Sequence, residues 1–516
     1  MNYLNTSTNK EKFQELLNSK VMVDKSLLIE KVNEFIATSG KYINMTRPRR
    51  FGKSVNANML ACYYNCKIDS KDLFDDLNIA TSSSYLEHLN KHNVIYVDFT
   101  GVLKNTKNYN EFINKFNIRM KRDILQQYPN IQLYDDLDID EIIEATNDKF
   151  IFIFDEWDWI FHSTFFSDLD KQSYLLFLKG LLKDKAYVEL CYMTGVLPIA
   201  KYSSGSELNM FKQYSFLEDR RFSTFFGFTE NEVKELCLKH GMDFNEVSDW
   251  YNGYYDTLGN RLYNPRSVSD ALGGHYCTSY WTETGPFNEV SDLISNNTED
   301  IRDDIVNMIS GNPIEIYFDE QFSAERLTLN TRDEILSAMV IYGFLSYHDG
   351  YLSIPNKELM IKFKQALMKV EMGFITKLAK QSRELLIQTI EGNSEYVAKI
   401  IEEVHHAEAP VLSYNNENTL ANIINIAYLG ARDKYRVERE SKSGKGYADF
   451  IFYPNRKSEP ALIIELKVDE TSTKAIEQIR ERNYLQKVKE YDVVMVGINY
   501  DKKTKEHSVE IERVDK

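Results

Sequence analysis

The chain has 516 residues, 43% hydrophobic and 27% charged, and a formal net charge of −16. That is the balance of a globular protein long enough for about three domains of roughly 150 residues, with no apolar run near the ~18–20 residues of a membrane helix. The acidic total excludes a surface coated throughout for nucleic acid but leaves room for a basic site on one domain.

The N-terminus, MNYLNTSTNKEK, has no apolar signal core. Cys62, Cys66, Cys191, Cys237 and Cys277 are scattered and odd in number, so free thiols and a cytoplasmic location are expected. Cys62 and Cys66 have no second pair, which argues against zinc.

The segment VDKSLLIEKVNEFI reads as a helix with Asp24 near its start. Tyr42–Ser54, YINMTRPRRFGKS, runs from a short apolar strand into Gly52-Lys53-Ser54 and then a helix with Val55, Met59 and Tyr63 at i, i+4 and i+8. Strand, Gly-Lys-Ser loop and helix make the layout in which loop N–H groups, a Lys and a Ser hydroxyl hold phosphates and Mg²⁺. Where the pattern opens with glycine the chain has Arg47, so a basic loop capped by Ser is the plain alternative. NVIYVDF predicts a buried strand ending at Asp98, and a helix is expected over Tyr109–Gln127. The acidic run from Tyr134 to Glu144 reads as a solvated helix face.

In KFIFIFDEWDWIF a central strand stops at Asp155-Glu156. The first carboxylate suits Mg²⁺ and the second can polarise an attacking water. An acidic turn after a strand is ordinary alone; beside Gly52-Lys53-Ser54 the two signals reinforce each other. A helix over 172–183 and a strand over 187–194, closed by Thr194-Gly195, continue the alternation. It predicts an α/β domain with a mostly parallel sheet and a nucleotide at the strands' carboxyl ends. Arg221 either reaches a phosphate or decorates the surface.

TRPRRFGKS, DEWD, MTGVLPIAK, RRFSTFFGFTENEV and WYNGYY…YNPRSV occur in that order over about residues 20–270. Together they resemble the AAA-ATPase-like proteins that carry a C-terminal PD-(D/E)xK nuclease-like domain. The resemblance implies that RPRRFGKS is the family's own loop, that the nucleotide is ATP, and that Thr194 stands where related ATPases sense the γ-phosphate. The residues alone imply a triphosphate with Mg²⁺ on Lys53, Ser54 and Asp155, with Glu156 catalytic. Arg47, Arg49 and Arg50 are expected to neutralise phosphates around Gly52.

Thr229 and Glu232 form a capping box opening a helical region. WYNGYYDTLGNRLYNPRSVSDAL reads as a small aromatic lid, helical after Pro265. Residues 331–363 read helix, hairpin and helix, like a winged-helix module that serves as a connector. The expected domains are 1–226, 227–385 and 386–516.

The last domain has a second chemical centre. YRVERESKSGKGYADFIF gives two strands with Asp449 on the second, and ALIIELKV puts Glu465 and Lys467 on one strand face. Asp-x15-Glu-x-Lys suits a metal-dependent phosphodiesterase, with Asp449 and Glu465 as metal ligands and Lys467 steadying developing charge. Resemblance to PD-(D/E)xK nucleases adds Gln478 on the following helix and Glu417 on the opening helix. Lys434, Arg436, Arg439, Lys442, Lys445, Arg456 and Lys457 make a basic rim around the Asp449 strand. His405-His406 reads as a surface pair at a helix end. The expected fold is thus a P-loop ATPase, a helical and winged-helix-like middle, and an α/β restriction-endonuclease-like domain. The expected function is an ATPase coupled to a Mg²⁺-dependent nuclease, with Mn²⁺ an alternative ion at the nuclease site. The expected partner is nucleic acid, DNA foremost, with no membrane and a homo-oligomer left open. The alternatives are an ATP-driven switch whose nuclease-like fold only binds nucleic acid or a protein, and a nucleotide-binding scaffold without turnover.

Overall fold

The structure, a computed structural model, describes residues 2–102, 106, 108–131, 138–162, 165–199, 207–280, 299–309, 311–318, 331–369, 373–408, 417–443, 446–456 and 458–514. It divides into two compact units, Met1–Ile301 with Pro313–Lys362, and Arg302–Asn312 with Phe363–Lys516.

In the first unit α1 (Thr8–Leu17) and α2 (Leu27–Asn33) precede β1 (Tyr42–Thr46), and α3 (Lys53–Tyr64) follows it. The chain continues through β2 (Asn93–Asp98), α4 (Tyr109–Gln127), α5 (Ile139–Glu144), β3 (Phe150–Asp155), α6 (Asp168–Leu182), β4 (Val188–Gly195) and β5 (Lys212–Tyr214). All four strand pairs are parallel, in the order β2-β3-β4-β1-β5. Parallel strands need crossover connections, whose helices cover both faces of the sheet. Hence β3 is apolar up to its last residue and buried throughout. Phe150, Phe152 and Phe154 pack with Phe112 and Phe116 of α4 and Leu178 of α6. Ile151 and Ile153 face the other way, onto Met59, Leu60 and Tyr63 of α3. The order sets β4 between β1 and β3, so the turns leaving these three strands emerge side by side at the carboxyl edge.

Helix ends follow local chemistry. Asn108 caps α4 by accepting the Glu111 N–H at 2.9 Å. α6 starts at Asp168, four residues ahead of the expected start, because Ser167 and Asp170 form a capping box. In α3 the expected stripe fails at its first member: Met59 and Tyr63 are buried, but Val55 is 42% exposed. Of the acidic run, residues 132–137 lie outside the described residues; in α5 Ile139, Ile142 and Ile143 are buried and Glu141 and Glu144 exposed.

Past the sheet come β6 (Phe228–Thr229), α7 (Glu230–His240), α8 (Phe244–Tyr251), β7 (Tyr254–Tyr255), β8 (Arg261–Tyr263) and α9 (Pro265–Gly274). The Thr229–Glu232 capping box opens α7. β9 (Ile314–Glu315), α10 (Arg332–Ile341), β10 (Ser346–His348), β11 (Tyr351–Ser353) and α11 (Lys357–Lys369) follow, with the hairpin turn at Asp349-Gly350. Gly253, at φ +108°, lets its backbone touch that of Pro355: a Cβ there would stand 1.8 Å from the Pro355 carbonyl oxygen. Tyr254 reinforces the joint by donating to the Gly343 carbonyl at 2.8 Å.

The second unit contains α12 (Gly373–Glu391), α13 (Ser394–Glu408), α14 (Glu417–Ala427), β12 (Tyr435–Ser443), β13 (Gly446–Pro454), β14 (Ala461–Val468), α15 (Ser472–Glu481), β15 (Val493–Asp501) and β16 (Glu506–Val514). The boundary expected at 385 falls inside α12. Its sheet runs β12-β13-β14-β15-β16, antiparallel except for β14–β15, which α15 connects. α12, α13 and α14 pack on one face and α15 on the other.

Gly253→Ala is expected to cost more than about 3 kcal/mol in chemical denaturation, since backbone must move against backbone. Gly241→Ala, at φ +68° with open space around it, is expected to cost about 1 kcal/mol.

Candidate functional site

The loop from β1 to α3 turns through left-handed backbone at Arg50 and Gly52, with φ of +69° and +87°. This directs the N-terminus of α3 at the carboxyl edge of the sheet. The Lys53 Nζ donates to the carbonyls of Arg47 and Pro48 at 3.0 and 3.1 Å and stands 4.0 Å from Glu156 Oε1. Thr194 Oγ1, at the end of β4, donates to Asp155 Oδ1 at 2.5 Å, and the exposed Ser54 hydroxyl lies on the same carboxylate's side of the loop. Burial raises the Asp155 carboxyl above its ordinary range and Asp98 adds to this, while the two hydroxyls and Lys53 pull it back. Glu156, at φ +52°, is also raised by burial, with Lys53 opposing and Asp158 and Asp155 adding.

Lys53, Ser54, Glu156, Gly52 and Arg50 line a cavity of ≈ 780 Å³ whose apolar wall includes Val21, Met22, Val23, Met59 and Phe228. That volume suits a small organic ligand. The backbone N–H groups and dipole of α3, with Lys53, favour an anion. Ser54 and Asp155 supply the hard oxygen donors a Mg²⁺ ion takes. Arg266 and Asp270 also line the cavity, and both escaped the sequence reading. Arg266 lies in the first turn of α9, where Asn264 caps and Pro265 starts the helix. The guanidinium of Arg50 is lowered by burial and by facing Arg266, so two cations share one wall.

Three expected ligands do not reach this cavity. Arg47 is fully buried beneath the loop: it donates to the carbonyls of Thr46 and Tyr214 at 2.9 and 2.7 Å and pairs with Asp219 at 2.5 Å. Its charge is spent inside the protein. Arg221 lies over the Phe35 ring at 4.5 Å and pairs with Glu34. Arg49 packs 5.8 Å from the Tyr342 ring and does not line the cavity.

In the second unit the pairing of Phe450 with Ile464 puts Asp449 of β13 beside Glu465 of β14. The Asp449 Oδ2 accepts the Leu466 N–H at 2.7 Å. Glu465 is 2% exposed; it takes a hydrogen bond from Gln478 Nε2, and Lys467 Nζ stands 3.7 Å from its Oε1. Asp449, Glu465, Lys467 and Gln478 are thus gathered as expected. The side chain of Glu417, at the start of α14, lies outside the described residues. Tyr484, which the sequence analysis did not single out, stands with its hydroxyl 3.5 Å from Gln478 Nε2. Two carboxylates match what Mg²⁺ asks of a protein when water and substrate phosphate complete its shell. Among the described residues no group of three His, Cys, Asp or Glu is placed to hold a metal ion.

The basic rim is partly neutralised: Lys434 pairs with Glu459 at 3.6 Å, and Arg436 pairs with Glu438 at 2.9 Å while stacking on Tyr453. Lys445, Lys457 and the side chain of Lys442 lie outside the described residues. His405 is buried, not on the surface, with Nδ1 2.7 Å from His507 Nε2. The His406 side chain lies outside the described residues.

Residues 9–204 match the family described as "Predicted AAA-ATPase", and residues 415–510 match the PD-(D/E)XK nuclease superfamily. The chain carries an AAA-ATPase-like domain and a PD-(D/E)XK nuclease superfamily domain. An uncharacterized protein in the vnfD 5' region of Azotobacter chroococcum mcd 1 is 27% identical over 266 residues, 50% of this chain and 50% of that protein. The chain thus spans about half the length of this curated relative. Among solved structures, a Walker-type ATPase of Pyrococcus abyssi is 12% identical, with 66% of this chain and 94% of that one covered and a TM-score of 0.34. The ORC2 protein of Aeropyrum pernix is 10% identical, with 70% and 94% covered and a TM-score of 0.29. The cysteines described are free, and among the described residues no helix is long and apolar enough to cross a membrane.

In the AAA-ATPase-like domain, Arg47→Ala would leave Asp219 buried without its counter-charge. The expected loss is about 3–5 kcal/mol in urea denaturation. Arg221→Ala, which breaks a partly exposed pair, is expected to cost about 1 kcal/mol or less.

Proposed function

We propose that the protein binds and hydrolyses a nucleoside triphosphate, ATP foremost, with Mg²⁺ at the Lys53 cavity, and thereby controls a metal-dependent nuclease centred on Asp449, Glu465 and Lys467. The observation that carries the reading is the meeting of three strand ends: Lys53 and Ser54 after β1, Asp155 and Glu156 at the end of β3, and Thr194 at the end of β4. Lys53 and the N–H groups of α3 take the phosphates. Ser54 and Asp155 hold the cation, which when bound neutralises phosphate charge. Glu156 orients the attacking water, and Thr194 keeps the Asp155 carboxylate aimed.

At the second site Asp449 and Glu465 hold one or two divalent ions, Mg²⁺ or Mn²⁺, and Gln478 fixes the orientation of Glu465. Lys467 stabilises the charge that builds on phosphorus oxygens. The substrate is nucleic acid, DNA foremost, held by charge rather than by base reading. The free cysteines suit a reducing compartment, the cytoplasm.

The test is ATP hydrolysis and cleavage of plasmid, linear duplex, single-stranded DNA and RNA, measured in parallel. Lys53→Ala is expected to lower ATP hydrolysis at least about 100-fold, and Asp449→Ala or Lys467→Ala to lower cutting by as much. Cutting that survives Lys467→Ala removes the catalytic assignment.

In a second reading the nuclease-like domain only binds nucleic acid or a protein partner, and Glu465 keeps the partners it already has within the domain, Gln478 and Lys467. Calorimetric titration of the Asp155→Ala protein with Mn²⁺ separates the two. The nuclease reading expects a binding heat that Glu465→Ala abolishes; the second expects none.

A further inference from the structure

The turn after β3 carries three acids, and the nucleotide site uses only Asp155 and Glu156. The third, Asp158, has no exposed surface. Its Oδ2 accepts the N–H groups of Val196 and Leu197 at 2.7 and 2.6 Å and lies 3.2 Å from His162 Nε2. Those N–H groups belong to the residues that directly follow Thr194 and Gly195 at the end of β4. A third bond runs the opposite way, from the Trp157 N–H to the Thr194 carbonyl at 3.1 Å.

Gly195 is fitted to this joint: a Cβ there would stand 2.7 Å from both Asp158 Oδ1 and Trp157 Nε1. Charge-assisted bonds to backbone N–H groups are about twice as strong as neutral ones. A buried carboxylate holding two of them ties its turn firmly to the neighbouring strand. Glu156 needs such a tie, because its left-handed backbone costs about 1–3 kcal/mol and persists only where the surroundings enforce it.

We propose that Asp158 is a positioning residue of the triphosphate site: it staples the turn that carries Glu156 to the strand end that carries Thr194, and so fixes Glu156 against Asp155 and the Lys53 loop. This rests on the proposed hydrolysis of a triphosphate. Asp158 touches no substrate; it acts through the turn.

The experiment uses the full chain with Mg²⁺ and ATP for turnover, and a fluorescent non-hydrolysable ATP analogue for affinity. Asp158→Ala and Gly195→Ala break the staple from opposite sides, and each is expected to lower kcat about 100-fold. The analogue's Kd is expected to stay within about threefold, because Lys53, the α3 N-terminus and the apolar wall keep their own contacts and only Glu156 of the lining shifts. The double variant is expected to lose less than the product of the two single losses, since both changes act on the same joint. Asp158→Asn, which can offer its amide oxygen to both N–H groups, is expected to regain about tenfold over Asp158→Ala. If Asp158→Ala fails to fold, Gly195→Ala and Asp158→Asn carry the comparison.

Wild-type kcat in Asp158→Ala or Gly195→Ala overturns the inference, as does a double variant whose losses multiply. Analogue affinity that falls in step with kcat overturns it too, because the effect is then on folding. A wild-type protein that hydrolyses no triphosphate removes the proposed function, and this inference with it.

Discussion

A guanidinium with no contact with solvent fixes the shape of the phosphate loop. Arg47 stands at the end of β1 and joins it, through the Tyr214 carbonyl, to the end of β5 and, through Asp219, to the segment that follows. Asp219 in turn accepts the N–H groups of Arg221 and Phe222 at 2.7 and 3.0 Å, and the Phe226 ring lies 4.5 Å from the guanidinium. A glycine-rich loop takes its form from backbone freedom. Here the form is imposed from beneath, by an ion pair that is costly to break because each partner would strand the other in a dry interior. Arg50 and Gly52 supply the left-handed backbone the turn needs before α3 begins.

The two chemical centres share a device. In each a lysine faces a carboxylate at a distance short of a tight ion pair: 4.0 Å for Lys53 and Glu156, 3.7 Å for Lys467 and Glu465. Each carboxylate is further placed by its surroundings, Glu156 by its strained turn and Glu465 by Gln478. The charges are held in position before any ligand arrives, which is how a site stabilises charge without reorganising during reaction.

Much of this was legible in the sequence because it is local. The apolar run Phe150–Phe154, the capping box at Thr229, the helix after Pro265, the Gly-Lys-Ser loop and the Glu-x-Lys strand each declare themselves within a dozen residues. What was not legible depends on partners far along the chain. Arg47, Arg49 and Arg50 are alike in sequence, and only Asp219 decides that the first is internal. Glu34 claims Arg221 in the same way, and His507 draws His405 inside. Val55 continues a helical stripe, yet at that turn the helix faces an open cavity rather than a core. Arg266 and Asp158 escaped because their roles come from a helix start and a strand end met only in three dimensions.

Lys53 already has two partners in its own loop, the carbonyls of Arg47 and Pro48. An ammonium has a third N–H to offer an entering anion, and gives up the other two bonds, each worth about 1 kcal/mol net, only by exchange. A single phosphate on the ammonium alone therefore gains little. A ligand that reaches the helix N-terminus, the ammonium and a metal ion at once gains on every contact but one. The loop thus favours a ligand that engages several of these groups together over one that meets the ammonium alone.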